Sequence, residues 1–317
     1  MLRVFESFSG YGSQSIALRN LGIEYEVVAI SEIDKYAIKA YEAIHGPTNN
    51  LGDICKINPS NIPDHDLFTY SFPCQDLSVA GKQAGLGKGT RSGLLYECEK
   101  IIEAKKPKYL LLENVKNLVS KKFKPQFDEW LEYLEGLGYT NYWKVLNAKD
   151  YGVPQNRERV FVVSILGNHK PYKFADKIPL DKCIADILED EVDEKYYLSK
   201  EVGYIEIDLP CIAASRGRNP ENPSDRTAGA PTEQRLEFNT KGTSNTITTV
   251  QKDNYVVETT YRIRKLTPRE CFRLMGMRDD DIDKIQGAGI SNSQQYKLAG
   301  NSIVVDVLET IFRNLFL

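Results

Sequence analysis

A basic excess is missing from this chain. Its 317 residues carry 41 Lys and Arg against 44 Asp and Glu, a net charge of −3. The electrostatic footprint of a polyanion binder is therefore absent at the level of the whole molecule. Also missing is any apolar run near the roughly 18 residues that read as a membrane span, so no spanning segment is expected. Met1-Leu2-Arg3-Val4-Phe5 leads straight into a strand-like run without the layout of a secretory signal, and the expected location is cytoplasmic. Six cysteines at irregular spacings give neither a zinc pattern nor a disulfide framework, and a reducing compartment suits them. What is present is a hydrophobic content of 41%, enough to bury the core of one large domain and a smaller one. Charge is also uneven, since residues 210–275 hold 11 Lys and Arg against 7 Asp and Glu. That distribution permits an anionic partner there without establishing one.

Four short motifs carry chemistry. Phe72-Pro73-Cys74-Gln75 follows the apolar run Leu67–Phe72. That run reads as a strand, which puts the Cys74 thiol at its carboxyl end, the edge where open α/β sheets present reactive groups. A lone cysteine is more often a small buried hydrophobe. Glu113-Asn114-Val115 follows a second strand-like run, Tyr109–Leu112, and sets a carboxylate on the same edge; its bland reading is a solvated strand-end acid. In Gln155-Asn156-Arg157-Glu158-Arg159, alternation would turn Gln155, Arg157 and Arg159 to one side as a fork of donors, against the plainer reading of an exposed charged strand. Phe8-Ser9-Gly10-Tyr11-Gly12 lies between a strand-like and a helix-like segment, where glycines let a ligand approach a helix N-terminus. Ser13 stands where a third glycine would strengthen that signal.

Elements alternate through about residue 166. Tyr25–Ile30 reads as a strand ending at Glu32, Asp34–Ile44 as a helix stopped by His45-Gly46-Pro47, and Phe127, Trp130, Leu131 and Leu134 recur at helical spacing. The expected class is α/β, a mostly parallel sheet flanked by helices. Segment 214–245 is rich in Gly, Pro, Asn, Ser, Thr and Arg with no sustained period, and by itself reads as a linker. Val304, Val307, Leu308, Ile311, Phe312 and Leu315 form one apolar helical face, read as core packing.

Taken in order, the thiol motif, Glu-Asn-Val and Gln-x-Arg-x-Arg resemble the cytosine-C5 DNA methyltransferase family of bacterial and phage restriction-modification type. The resemblance runs nearly end to end. It also takes in Gly81-Lys82-Gln83, Thr90–Leu94, Arg264–Glu270 with Arg273–Gly276, and Gly300-Asn301-Ser302-Ile303-Val304-Val305. It implies a Rossmann-like S-adenosylmethionine-dependent catalytic domain at 1–170, a smaller target-recognition domain at 171–258, and a segment 259–317 returning to complete the catalytic domain. It further implies that Cys74 attacks carbon 6 of a cytosine flipped out of duplex DNA, with Glu113 at ring nitrogen 3 and Arg159 at the carbonyl oxygen. By the same resemblance Arg157 and Gln155 order their loop.

For S-adenosylmethionine, which leaves as S-adenosylhomocysteine, the resemblance implies a pocket of Phe8, Gly10, Tyr11, Gly12, Glu32, Ile33, Asp53, Ile54, Pro73, Leu94, Asn301 and Ser302. Ile33 stands where some members have a tryptophan. Ser78, Lys82 and Gln83 would lie on a lid over the flipped base, and Arg216, Arg218, Arg226 and Lys241 would contact groove or phosphate. Thr243–Thr249 resembles the region that fills the vacated space. A monomer acting independently of any cognate restriction endonuclease is expected, associated with the nucleoid through DNA. A tRNA cytosine-5 methyltransferase with the same motifs, or a non-catalytic DNA-binding regulator of this fold, are the rival readings. Intact Cys74, Glu113 and Arg159 weigh against the regulator, and the arginine- and asparagine-rich variable segment weighs against tRNA.

Overall fold

The computed structural model describes residues 1–73, 92–198, 210–223, 231–249, 254–259 and 262–317. Along them run β1 (Leu2–Ser7), α1 (Ser13–Asn20), β2 (Tyr25–Ser31), α2 (Lys35–His45), β3 (Leu67–Tyr70), α3 (Leu95–Lys105), β4 (Tyr109–Val115), α4 (Lys124–Gly136) and β5 (Tyr139–Asn147). There follow β6 (Gln155–Asn156), β7 (Glu158–Leu166), β8 (Cys211–Arg218), β9 (Glu233–Asn239), β10 (Ser244–Asn245), β11 (Tyr255–Thr259) and β12 (Arg262–Lys265). Helices α5 (Pro268–Arg273), α6 (Asp279–Gly287), α7 (Asn292–Asn301) and α8 (Val305–Phe316) close the order. The chain divides into two compact units. One comprises Met1–Asn147, Glu158–Lys177 and Ile303–Leu317, the other Ala148–Arg157 and Ile178–Ser302.

The first unit is built on a six-stranded sheet in the order β2-β1-β3-β4-β7-β5. Strands β2, β1, β3 and β4 are parallel, and β7 runs antiparallel to both β4 and β5. This is the α/β class with a mostly parallel sheet that the sequence leads one to expect. Parallel strands covered on both faces are near-continuously apolar, and β3 is buried at all four positions, as is Leu110–Leu112 of β4. Phe5, Phe68 and Tyr70 stack across the sheet at centroid spacings of 5.1 and 5.2 Å, and the core continues through Phe127, Trp130 and Leu134 of α4. The Asp34 carboxylate accepts the Tyr36 N–H at 2.9 Å to start α2, and Gly46 at φ 84° ends it. Strand order reverses between β1 and β3, and the carboxyl ends of strands at such a switch point are the usual ligand position in open α/β sheets.

The second unit holds a four-stranded antiparallel sheet, β12-β11-β8-β9, and a short parallel pair, β10-β6. The linker reading of 214–245 is corrected here: β8 and β9 pair from Ile212↔Asn239 to Arg218↔Glu233. Its polar composition hid them, because exposure outside the buried Cys211–Ala214 stretch removes the apolar alternation that marks a strand. Arg264 and Glu270 are fully buried against each other, with two 2.7 Å hydrogen bonds, and Glu270 also caps α5 through Thr267 N–H.

Candidate active site

Four parallel strands end on one edge of the first unit. Ser7 of β1 pairs with Ser31 of β2 and with Tyr70 of β3, and Tyr70 pairs with Leu112 of β4. The register therefore brings Phe8, Glu32, Ser71 and Glu113 to the same level of that edge. Cys74 itself lies outside the described residues, as do Ser78, Lys82, Gln83 and Arg226. Its approach is described: Pro73 is half-buried, and Asn114 Nδ2 donates to the Phe72 carbonyl at 3.0 Å. Asn114 thus ties the end of the β3 run to β4, two residues before the thiol, and its Oδ1 accepts the Val115 N–H at 2.9 Å. The motif Glu-Asn-Val has an organising asparagine that acid-centred reasoning passes over.

Glu113 is buried, with 8% of its surface exposed. Arg159 Nε lies 3.2 Å from its Oε1. Antiparallel pairing explains the meeting: Glu113 is opposite Phe161 and Val115 opposite Arg159, so acid and arginine are diagonal neighbours on one sheet face. Arg159 Nη1 donates to the Glu158 carbonyl at 2.8 Å, which orients the guanidinium plane. A carboxylate and a forked donor fixed side by side can hold a planar ring bearing both acceptors and donors.

The glycine turn and the β2 acid meet on the same edge. Phe8, Gly10 and Gly12 all have positive φ, at 53°, 58° and 82°. Among the described residues a Cβ built on Gly10 meets nothing within 4 Å, which leaves a cradle there, whereas one on Gly12 would lie 2.5 Å from His45 Nε2. Gly10 N–H donates to Glu32 Oε2 at 3.0 Å, and Glu32 Oε1 accepts from Ile33 and Asp34 at 2.8 and 2.9 Å. Asn50, which the sequence reading missed, braces this corner. Its Oδ1 accepts from Glu32 N and Gly52 N at 3.1 and 3.0 Å, and its Nδ2 donates to the Glu32 carbonyl. The only sequence signal for it is an Asn-Asn pair before Leu-Gly-Asp. That brace sets Asp53 beside the end of β2. Tyr11 and Ile54 are buried, Leu94 is half-buried, and Ile33 is 73% exposed. An acid at the end of β2, an open glycine cradle and an exposed aliphatic side chain fit a nucleoside ligand.

The expected fork of Gln155, Arg157 and Arg159 is divided. Gln155 and Arg157 belong to the second unit and bond to backbone groups there. Gln155 Nε2 donates to Leu274 O at 2.6 Å and its Oε1 accepts Ile247 N–H at 2.9 Å. Arg157 donates to Ile247 O, Gly300 O and Ser302 O at 3.1, 3.0 and 2.7 Å. Gly300 is required by that packing, since a Cβ would sit 2.6 Å from Thr249 N. Asn301 and Ser302 also lie in this unit, Asn301 exposed. On β8, Arg218 is held by Glu237 through two contacts, the Nη2–Oε2 one at 2.7 Å, while Arg216 Nε is 4.0 Å from the same carboxylate. Lys241 follows β9 and is exposed. Among the described residues no group of His, Cys, Asp and Glu could hold a metal, and no helix is long and apolar enough to cross a membrane.

The class is that of the C5-cytosine methyltransferases: the family model "C-5 cytosine-specific DNA methylase" matches residues 2–317, and the chain belongs to that family. Among curated relatives, it is 41% identical to the type II methyltransferase M2.ScrFI of Lactococcus lactis subsp. cremoris, covering 100% of this chain and 99% of that one. It is 35% identical to the type II methyltransferase M.NlaX of Neisseria lactamica, at 98% and 95% coverage. To the orphan methyltransferase M.SPBetaI of Bacillus phage SPbeta it is 34% identical, at 99% and 97% coverage. Among solved structures, S. pombe Dnmt2 methyltransferase superposes with a TM-score of 0.70 at 21% identity, covering 98% of this chain and 97% of that one. That likeness speaks to the fold.

Proposed function

We infer that this protein is a DNA (cytosine-5-)-methyltransferase that acts on one cytosine of a short specific duplex sequence. The observation that carries the reading is the Glu113–Arg159 pair, fixed at 3.2 Å on the carboxyl edge beside the Asn114-pinned approach to Cys74, in a chain of this family. Carbon 5 of cytosine is too weak a nucleophile to be methylated unaided. Addition of the Cys74 thiolate to carbon 6 forms an S–C bond and moves the ring's π pair toward carbon 5. Glu113 donates a proton at ring nitrogen 3 as that negative charge develops, and Arg159 holds the carbonyl oxygen. Once carbon 5 carries the methyl, Glu113 takes back the nitrogen 3 proton, and loss of the carbon 5 proton to a base restores the double bond and expels the Cys74 thiolate. Carbon 6 is inaccessible inside a duplex, so the base must be extruded first. Ser78, Lys82 and Gln83 are assigned to the closing lid, and Arg216, Arg218, Arg226 and Lys241 to the DNA contact.

S-adenosylmethionine, the donor, supplies a methyl activated on a sulfonium. Phe8, Gly10, Tyr11 and Gly12 form its cradle, Glu32 receives the ribose hydroxyls, Asp53 the adenine amine, and Ile33 and Ile54 cover the ring. Pro73, Leu94, Asn301 and Ser302 are assigned to the same ligand. Functionally the chain divides at 1–170 for catalysis, 171–258 for target recognition and 259–317 as the returning segment. That division follows the motifs, whereas compactness groups 259–302 with the second unit. The protein acts in the cytoplasm on nucleoid DNA, as a monomer needing no partner endonuclease.

Bisulfite sequencing of plasmid DNA from cells making this protein, beside a Cys74→Ser variant, tests the reading. Protected cytosines confined to one short motif and absent in the variant are expected. Protection equal to an empty-vector control would overturn it.

A further inference from the structure

Two arginines face each other directly across the β8–β9 hairpin. Cα register pairs Arg216 with Arg235, flanked on the same sheet face by Ala214↔Glu237 and Arg218↔Glu233. Like charges placed opposite each other in an antiparallel pair destabilise it, so this arrangement has an energetic cost in the free protein. The nearby carboxylates relieve it only in part. Glu237 is engaged by both Nε and Nη2 of Arg218 and comes only within 4.0 Å of Arg216. Glu233 stands opposite Arg218, at the far end of the face, and has no ion pair among the described residues. Arg235 is exposed and likewise has no carboxylate partner among the described residues. The side chain of Arg216 is 34% exposed, so both guanidinium groups reach solvent. On the opposite face Ser215 Oγ donates to Gln234 Oε1 at 3.0 Å, which locks the register and with it the juxtaposition.

The geometry points to Arg216 and Arg235 as a two-guanidinium clamp for one backbone phosphate of the DNA. This rests on the methyltransferase reading above. It adds Arg235, which no motif singles out, and gives Arg216 the role of anchor rather than base reader. The choice of a phosphate over a guanine edge follows from charge. Two opposed cations are relieved by a ligand carrying net negative charge, and a base edge carries only partial charges. Arg218, held by Glu237, is not part of this clamp, and its assigned DNA contact lies outside it.

The test uses the full-length protein and two fluorescent duplexes. One contains the sequence mapped by bisulfite sequencing, and the other is scrambled. Anisotropy titrations run from about 50 to 200 mM salt, the range over which phosphate contacts show their dependence. For Arg235→Ala the expected result is a similar weakening on both duplexes, on the order of tenfold. Its log K against log salt slope should be shallower by about 0.9, the value for one phosphate contact, with the methylated motif unchanged. Arg235→Glu guards against a folding artefact: it places opposite charges across the pair, so its Tm should equal or exceed wild type while its DNA affinity falls furthest. Relaxed specificity at one base pair in Arg235→Ala would show base reading and overturn the clamp, as would an unchanged salt slope. Wild type failing to bind either duplex would overturn the functional reading itself.

Discussion

Glu6 shows how one residue can tie strand, helix and titration together. It lies on β1, two residues before the glycine turn, and is completely buried. Ser15 Oγ of α1 donates to its Oε1 at 2.8 Å, and the same hydroxyl lies 3.3 Å from Tyr41 of α2. Among the described residues its Oε2 has no hydrogen-bond partner. Burial lifts its carboxyl from the ordinary 4.5 to about 7, and the hydrogen bonds from Ser15 and Tyr41 only partly oppose that. A carboxyl raised on folding binds its proton more tightly in the native state than in the unfolded chain. Its contribution to stability is therefore complete below about pH 4.5 and is lost as pH rises through 7. The loss is about 3 kcal/mol at the usual 1.36 kcal/mol per pH unit. Gln at this position keeps the shape without the titration. Melting of wild type and Glu6→Gln between pH 5 and 8 should show wild type falling behind as pH increases. A difference that is constant across that range would remove Glu6 from the account.

At the scale of the element, the glycine turn separates two roles that look alike in sequence. Gly10 and Gly12 both need a left-handed backbone, which costs an L-residue roughly 1–2 kcal/mol. Their surroundings differ. Around a Cβ at Gly10 there is open space, while at Gly12 His45 and Tyr41 would be met at 2.5 and 2.7 Å. Gly10→Ala should accordingly lower Tm modestly yet weaken binding of S-adenosylhomocysteine, measured by calorimetry, at least tenfold. Gly12→Ala should lose stability first, because two packed rings must move. Equal calorimetric affinity for Gly10→Ala and wild type would mean that the cradle is not the ligand's. Strands β1 to β4 and helices α2 and α4 were legible because burial on both faces or one stripe leaves an apolar pattern, as in Leu67–Tyr70 and in Phe127, Trp130 and Leu134. The strands β8 and β9 were not, since Arg216, Arg218 and Arg235 occupy positions where an apolar side chain would have declared the strand. Asn50 and Asn114 stayed hidden for another reason: their work is done through backbone groups distant in sequence, which spacing does not report.

At the scale of the molecule, the first unit is interrupted twice. Chain leaves it after Asn147, returns at Glu158 to supply β7 between β4 and β5, and leaves again until Ile303. Only then does α8 arrive, with Val305, Val307, Leu308, Ile311 and Phe312 buried. It packs on α1, formed by residues some 290 positions earlier, and Asn20 Nδ2 donates to Glu309 Oε1 at 2.8 Å. The Tyr172 hydroxyl and Asn314 Nδ2 add bonds between α8 and the segment after β7. Contacts of such sequence separation form late, because the loop must close before they stabilise anything. Phe312→Ala, which empties a fully buried ring site, should cost about 3–5 kcal/mol. A chain ending at Ser302 should go further: β1 and β2 retain their local pattern but lose the helix that covers α1. Hydrogen exchange should then find weak protection in β1 and β2 of that shortened chain. Adding a peptide of residues 303–317 in trans should restore that protection in proportion to its occupancy. Full protection without the peptide would show that the sheet closes on its own and that α8 is an accessory to a unit already complete.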